Sequence, residues 1–296
     1  MKGQKQINYI KSEYIGRSLV TFCGILIVAI TLAIIGFICA KGIQSFTQSG
    51  ISFGEMLTST KWNPNSEQPA FGALIFIVGS MVVSIGAVLI SAPIAIGLAI
   101  FMNLISPKFG SRVLKPVLEL LVGIPSVVYG LLGVTILIPL LRDSFGGVGF
   151  SLVAGIVVLS IMILPTIASI ASDAVRSVPF EYLEASYGLG STKWQAISRA
   201  IVPAAKSGIL TGIVLGLARA FGEALAVQMV IGNTIKLPTS LYSPTSTLTG
   251  ILTMDMTNTL NGTPWNNALW TLAMILLLIS FIFILIIRAI GQRGGR

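Results

Sequence analysis

The chain has 296 residues, of which 54% are hydrophobic and only 10% charged, with a mean hydropathy of +0.91 and a net charge of +9. Soluble domains carry about 25% charged residues, so a soluble enzyme, a disordered tail and a nucleic-acid module are excluded. Histidine is absent, which removes histidine metal sites, Ser-His-Asp triads and histidine proton relays.

Six apolar runs follow in chain order, at 17–40, 72–102, 117–141, 151–172, 209–232 and 267–290. Each holds about 20 residues or more, enough to cross ~30 Å of hydrocarbon. The predicted fold class is therefore an all-α integral membrane protein with six transmembrane helices. The first run is too long for a signal-peptide core and no small-residue cleavage site precedes a mature domain, so it reads as a retained helix. Cys23 and Cys39 on that run would stand roughly 24 Å apart along a helix, beyond the ~7 Å Cα limit of a disulfide. Pro93 in the second run predicts a kink or a strong tilt. The intervening 41–71 segment, like 233–266 later, is rich in Pro, Ser, Thr, Asn and Gly. Neither reads as a folded domain; each is a connector or a docking surface for an external partner. Within 233–266, the sequon Asn261-Gly262-Thr263 matters only in a glycosylating organism.

In the third run Glu119 stands four residues after Lys115, a spacing that predicts an ion pair or snorkelling to the interface. Gly123-Ile124-Pro125-Ser126 should disturb this helix and leave backbone exposed where it lines a cavity, making Ser126 a candidate for the substrate path. After the fourth run, residues 173–208 form the longest cytoplasmic segment. Pro179 suits the first turn of one short helix, and Gly188 and Gly190 its end. Thr192 with Gln195 predicts a capping box opening a second, and Pro203 a break before the fifth run. Tyr182, Tyr187 and Trp194 make this a sticky knob or an interfacial connector.

In the fifth run small residues recur every four positions, at Gly208, Gly212, Gly216, Ala220 and Ala224, the pattern of close helix contacts in membranes. On a continuous helix Arg219 and Glu223 share that face, four residues apart and near mid-span. Leu210, Val214, Leu217, Phe221 and Leu225 would lie opposite, against lipid or an apolar neighbour. A charge at that depth costs about 2.5–3.5 kcal/mol on insertion scales. Either the two form a structural ion pair, or Arg219 offers its fork of donors to an oxyanion. Gln228 has no evident role.

The basic residues give an orientation. Fourteen fall in the N-terminal tail, the two segments after runs two and four, and the C-terminal end; four fall on the other side; Arg219 alone lies within a span. The positive-inside rule then predicts that both termini are cytoplasmic, so the net charge is a topology signal. Gly50-Ile51-Ser52-Phe53-Gly54 matches a nucleophile elbow, but without a histidine base or a strand-turn-helix context. No phosphate-binding loop for ATP is present, so active transport would draw its energy from another subunit or an ion gradient.

Glu184-Ala185-Ser186, then Gly190, then Ala200-Ile201-Val202-Pro203, resembles the EAA loop of ABC importer permeases, whose pattern is Glu-Ala-Ala, three residues, Gly, nine residues, Ile-x-Leu-Pro. Glu184, Ala185, Gly190 and Pro203 match; Ser186, Ala200 and Val202 depart by small changes of size. The resemblance implies a type I ABC importer permease fold. It also implies that residues 180–198 form a coupling helix docking into a separate ATPase subunit. Arg219 with Phe221-Gly222-Glu223-Ala224-Leu225-Ala226-Val227 and Ile231-Gly232-Asn233 resembles the phosphate-specific permeases, in particular their C-type subunit. So do Gly123–Gly130 and Thr58–Pro64 with Phe71-Gly72. The usual Thr after Glu223 is Ala224 here.

This resemblance implies the permease of an ATP-driven phosphate importer working by alternating access, with no covalent chemistry, cofactor or metal of its own. Its partners would be a second permease, two ATPase subunits and an external phosphate-binding protein, in a bacterial or archaeal cytoplasmic membrane. The expected division is a cytoplasmic tail 1–16, a first helix with external loop 17–71, a five-helix permease core 72–291 and a tail 292–296. Alternatives are a permease for molybdate or sulfate, and an ion-gradient-driven secondary transporter.

Overall fold

A computed structural model describes the backbone of residues 2–293 and the side chains of residues 16–289. In chain order the elements are α1 (Lys2–Thr47), α2 (Phe53–Thr58), strands β1 (Trp62–Asn63) and β2 (Ala70–Phe71), α3 (Leu74–Ile100), α4 (Pro107–Phe109), α5 (Lys115–Gly123), α6 (Ser126–Leu132), α7 (Ile138–Phe145), α8 (Leu152–Arg176), α9 (Glu181–Gly188), α10 (Lys193–Ala196), α11 (Val202–Ala204), α12 (Lys206–Gly222), α13 (Leu225–Ile231), α14 (Leu248–Asp255) and α15 (Pro264–Arg293). Wider π-helical turns lie at Phe101–Ile105, Gly110–Leu114, Gly133–Leu137 and Ile197–Ile201.

The all-α membrane architecture expected from the apolar runs is the one that forms. Five helical stretches, Gly16–Thr47, Leu74–Ile105, Ser126–Phe145, Leu152–Arg176 and Pro264–Ala289, are long and apolar enough to cross a bilayer. Two of the six runs are not single helices, the third as its Gly-Ile-Pro sequence predicts and the fifth against expectation. The third breaks at Ile124 and Pro125, both extended, between α5 and α6. The fifth ends its first helix at Gly222 and resumes as α13. Helix α3 keeps its helical assignment through Pro93 and changes to a π turn only at Phe101. Cys23 and Cys39 are free thiols.

Helix α8 is the hub, packing on α3, α12, α13 and α5. Ala154, Ile163, Ile167, Ala168 and Ala171 are buried along it. The small-residue face of α12 meets it as the spacing requires. A Cβ on Gly208 would stand 2.5 Å from Ala174 Cβ, and one on Gly216 2.5 Å from Ile167 Cγ1. Leu217 and Phe221 on the other side are also buried; Phe221 stacks 5.5 Å from Phe283 of α15, so the apolar neighbour is protein. Helix α1 stands apart, with none of its most apolar stretch buried. It is fastened to α15 at one end by Thr271, whose hydroxyl lies 2.6 Å from Gly42 O and 2.7 Å from Ser45 Oγ.

The two polar loops, 41–71 and 233–266, are more than connectors. Met56, Trp62, Phe76, Leu248, Ile251 and Leu269 form one buried cluster that joins 41–71 to 233–266. Trp62 sits edge-on to Phe71 and Phe76, with centroids 5.9 and 5.3 Å away, contacts worth about 0.5–1.5 kcal/mol each beyond area burial. From Thr245 to Ile251 every residue is buried. A Cβ on Gly79 of α3 would stand 2.1 Å from Ser246 O, so this segment lies directly on the α3 backbone.

Candidate functional site

The break in the fifth run separates the two charges whose spacing would let them pair on a continuous helix. Glu223 is extended (φ −77°, ψ 124°). Its Oε1 accepts from Ala226 N at 3.1 Å, capping the first turn of α13 where a carboxylate is favoured. Arg219 Nη1 donates to Thr166 Oγ1 of α8 at 2.8 Å. An Arg219–Glu223 ion pair is absent. Among the described residues the single ion pair is Arg142–Asp143, at 3.4 Å on the exposed end of α7. The reason is geometric: i and i+4 side chains meet only while the helix continues, and here it stops between them.

Arg219 is half-buried and has five N–H donors. One goes to Thr166; the other four have no hydrogen-bond partner among the described residues. A hydrogen bond to a charged group is worth about 1.5–3 kcal/mol, comparable with the lower estimates of the membrane cost of the charge. Tyr129 of α6 lies within Coulombic reach of this guanidinium. Its hydroxyl donates to Leu121 O at 2.8 Å, satisfying a carbonyl freed where α5 ends. The two broken spans also pack together: a Cβ on Gly130 would stand 3.2 Å from Ala226 Cα. Ser126 opens α6 just past the break, as its Gly-Ile-Pro context required.

Glu223 faces a different set of neighbours. A cavity of about 10 Å³, roughly one water, is lined by Glu223 with Ser80, Ser84, Thr247 and Thr249. Arg219 and Ser126 do not line it. Thr249 Oγ1 donates to Glu223 O at 2.9 Å, and Leu248 N donates to Ser80 Oγ at 2.8 Å. Gln228, without a role in the sequence, accepts at Oε1 from Thr253 Oγ1 of α14 at 2.7 Å. The inserted 245–253 segment is thus tied to both sides of the break. Thr166, Thr249, Ser80 and Ser84 were not singled out from the sequence. The four-residue spacing of Ser80 and Ser84 on an apolar helix is the signal that could have found that pair.

In the segment between α8 and α12, α9 is followed by Gly190 at φ +78°, a left-handed conformation natural to glycine. Thr192 and Gln195 form the expected capping box: Gln195 N donates to Thr192 Oγ1 at 3.3 Å and Thr192 N to Gln195 Oε1 at 2.9 Å. Pro179 precedes α9 instead of entering its first turn, since the helix begins at Glu181. Glu184 and Ala185 are exposed on α9. Pro203 opens the short α11, and a 68° bend at Ala205 leads into α12. Phe180, Tyr182, Trp194 and Leu189, the last 91% exposed, project from this element. Of the pairing or snorkelling expected of Lys115 and Glu119, the ion pair is not formed; both line a separate cavity of about 320 Å³.

Residues 95–295 match the family of binding-protein-dependent transport system inner membrane components. A Bacillus subtilis protein named probable ABC transporter permease protein YqgH is 51% identical over 282 residues, 95% of this chain and 91% of that one. The phosphate transport system permease protein PstC of Mesorhizobium japonicum is 36% identical, covering 84% and 81%. Its namesake in Pasteurella multocida is 34% identical, covering 98% and 96%. A chain of the MetNI methionine ABC transporter, solved in inward-facing conformations, superposes with a TM-score of 0.56 at 21% identity, over 76% of this chain and 95% of that one, a likeness of fold. With most of the chain matched and relatives of near-equal length, the chain belongs to the family of binding-protein-dependent transport system inner membrane components.

Proposed function

We infer that this chain is the permease subunit of an ATP-driven importer of inorganic phosphate, working by alternating access. The observation that carries the reading is Arg219: a guanidinium within the membrane core, held through one N–H by Thr166 and with four donors uncommitted. A fork of charge-assisted donors replaces part of the hydration a phosphate loses. Relatives named for phosphate transport support this substrate. Glu223 and Ser126 border the same path at the two helix breaks, Glu223 from the hydroxyl-lined side.

The partners are a second permease, a pair of ATPase subunits and an external phosphate-binding protein. The element from 180 to 198 docks on the ATPase through its exposed Phe180, Tyr182, Leu189 and Trp194. Glu184, Ala185, Gly190 and Pro203 set its shape. Both termini are cytoplasmic, with 17–71 as first helix and outer loop and 72–291 as the permease core. The basic side chains of the tails 1–16 and 292–296 that support this orientation, Lys2, Lys5, Lys11, Arg293 and Arg296, lie outside the described side chains.

The deciding experiment is uptake of labelled phosphate by vesicles containing the full complex, with sulfate and molybdate as competitors. Phosphate accumulation that needs ATP and resists both competitors is expected. Accumulation of molybdate or sulfate in its place, or uptake that survives loss of the ATPase, would refute the reading.

A further inference from the structure

The 320 Å³ cavity lies between the cytoplasmic ends of α3, α5 and α8. Its walls come from two π turns folded on each other. A Cβ on Gly110 would stand 2.5 Å from Met102 O, so the second turn fits only with glycine there. Asn103 fixes the first turn to α8, its Nδ2 lying 2.8 Å from both Ser172 Oγ and Ala99 O. π turns recur at functional sites; here they open a polar space where a regular helix would close it.

The cavity holds Lys115, Arg176, Glu119 and Asp173, none of them in an ion pair among the described residues. From α8 come Ser169, Asp173 and Arg176, spaced four and three residues apart on one face. Three residues before Ser169 on that face is Thr166, the partner of Arg219. A single polar stripe thus runs about 15 Å along α8, from the guanidinium at mid-membrane to this cavity. Its flanks are apolar: Ile163, Ile167, Ala168 and Ala171 are buried.

We propose that this cavity is an inner station for phosphate, reached from Arg219 along the Thr166–Ser169–Arg176 stripe, with Lys115 and Arg176 as its cationic donors and Ser169 as a hydroxyl donor. The proposal rests on the phosphate-import reading. The two carboxylates balance the two cations, so an arriving anion meets no net positive charge. They also repel a fully deprotonated oxyanion while accepting the proton that hydrogen phosphate carries. Such a station binds weakly, which suits a last stop before release. The same donors fit the phosphate of a lipid headgroup at the inner leaflet, and the test separates the two.

The experiment uses the full complex with Cys23 and Cys39 replaced by Ser and Ser169→Cys introduced. The complex is reconstituted in discs of either phosphatidylglycerol or a phosphate-free galactolipid. Alkylation by neutral iodoacetamide is followed without ATP. Phosphate at about five times its Kd should slow alkylation about sixfold by mass action in both lipids. Sulfate at the same concentration should not. Adding Lys115→Gln and Arg176→Gln should abolish protection and lower phosphate uptake; where that variant fails to assemble, the Ser169→Cys complex alone decides. Alkylation insensitive to phosphate, or slowed only by phosphatidylglycerol, overturns the station. Phosphate uptake by the unsubstituted complex, measured alongside, tells a failed station from a failed substrate assignment.

Discussion

The two broken spans break for different reasons. Between α5 and α6 the cause is local: Pro125 pushes Ile124 out of the helical region and removes a donor, and both residues are extended. Between α12 and α13 no proline is present. Gly222-Glu223-Ala224 could continue a helix, and the isolated sequence favours that. The tertiary contact at it is Thr249, which donates to the carbonyl of Glu223 from 26 residues away; the Glu223 carboxylate then caps the amide of Ala226 locally. A break written into the chain is insensitive to its surroundings. A break held by neighbours can open and close with them.

The largest effect should come from the residues at the second break. Arg219→Gln with Glu223→Gln is expected to assemble with the ATPase at near-normal yield and to lose phosphate uptake by about 100-fold, of the order of 2.7 kcal/mol. The charges are not paired, so neither single change leaves the other as an orphan. Near-normal uptake by the double variant would reduce both residues to scaffolding and remove the contrast between the breaks.

Next, Gly190→Val places a β-branched residue at φ +78°, a strain of about 1–2 kcal/mol. The expected result is roughly tenfold weaker recovery of the ATPase with the permease, without loss of the permease from the membrane. Wild-type recovery and uptake would show that the α9–α10 turn is not the docking element. The element is a useful control because its shape, like the Pro125 break, is set locally.

The two breaks can then be compared directly. Thr249→Val removes the hydroxyl donor to Glu223 O, a loss of about 1 kcal/mol, and is expected to lower uptake several-fold. Pro125→Ala removes the local cause of the other break and is expected to lower uptake to a similar extent, even though Tyr129 still holds Leu121 O. Unchanged uptake in Pro125→Ala would show that the first break is held by its neighbours and not by the proline.

The smallest effect concerns the buried cluster that joins 41–71 to 233–266. Asp255 faces the indole N–H groups of Trp62 and Trp265; the Trp265 N–H is buried and approaches it without a well-aligned bond. Burial raises the carboxyl above its usual 3.8, and the indoles offset this only in part. A raised folded-state value means that the stabilising contribution is complete below 3.8 and is lost as pH rises through the folded-state value. At neutral pH the charge is therefore a burden. Asp255→Asn should raise the thermal midpoint by about 1–2 °C at pH 7, and the gain should vanish on acidification towards pH 4. A lower midpoint at pH 7 would contradict this.

Six apolar runs, the Gly-Ile-Pro break, the Thr192 capping box and the glycine face of α12 were all legible, because each depends on residues close in sequence or on a fixed period. Of the two readings of Arg219 and Glu223, the structural ion pair assumed a continuous helix. The hydroxyls that engage the two charged residues instead, Thr249 donating to Glu223 O and Thr166 accepting from Arg219, lie 26 and 53 residues away. Composition made 233–266 look like plain loop, yet Ser246 within it is 1% exposed. A cysteine probe of outside topology therefore belongs at exposed Asn261, opposed to one at Gln4, whose side chain lies outside the described residues. The Lys115–Glu119 spacing was right for a pair, but the cavity beside α5 leaves both side chains apart.

The 68° bend at Ala205 is an elbow with no slack. The α10–α11 arm and α12 are joined by one residue, so a turn imposed on the arm has nowhere to dissipate before it enters the span. Helix α12 is 17 residues long, a shaft of about 25 Å at 1.5 Å per residue. Rotating that shaft by about 5° at the elbow would sweep its far end through about 2 Å. That far end is Gly222, one bond from Glu223. Two ångströms exceeds the tolerance of a hydrogen bond, enough to release Thr249 from the Glu223 carbonyl. A small angular input at the α10–α11 arm is thereby geared to the helix break that the Thr249 hydroxyl holds.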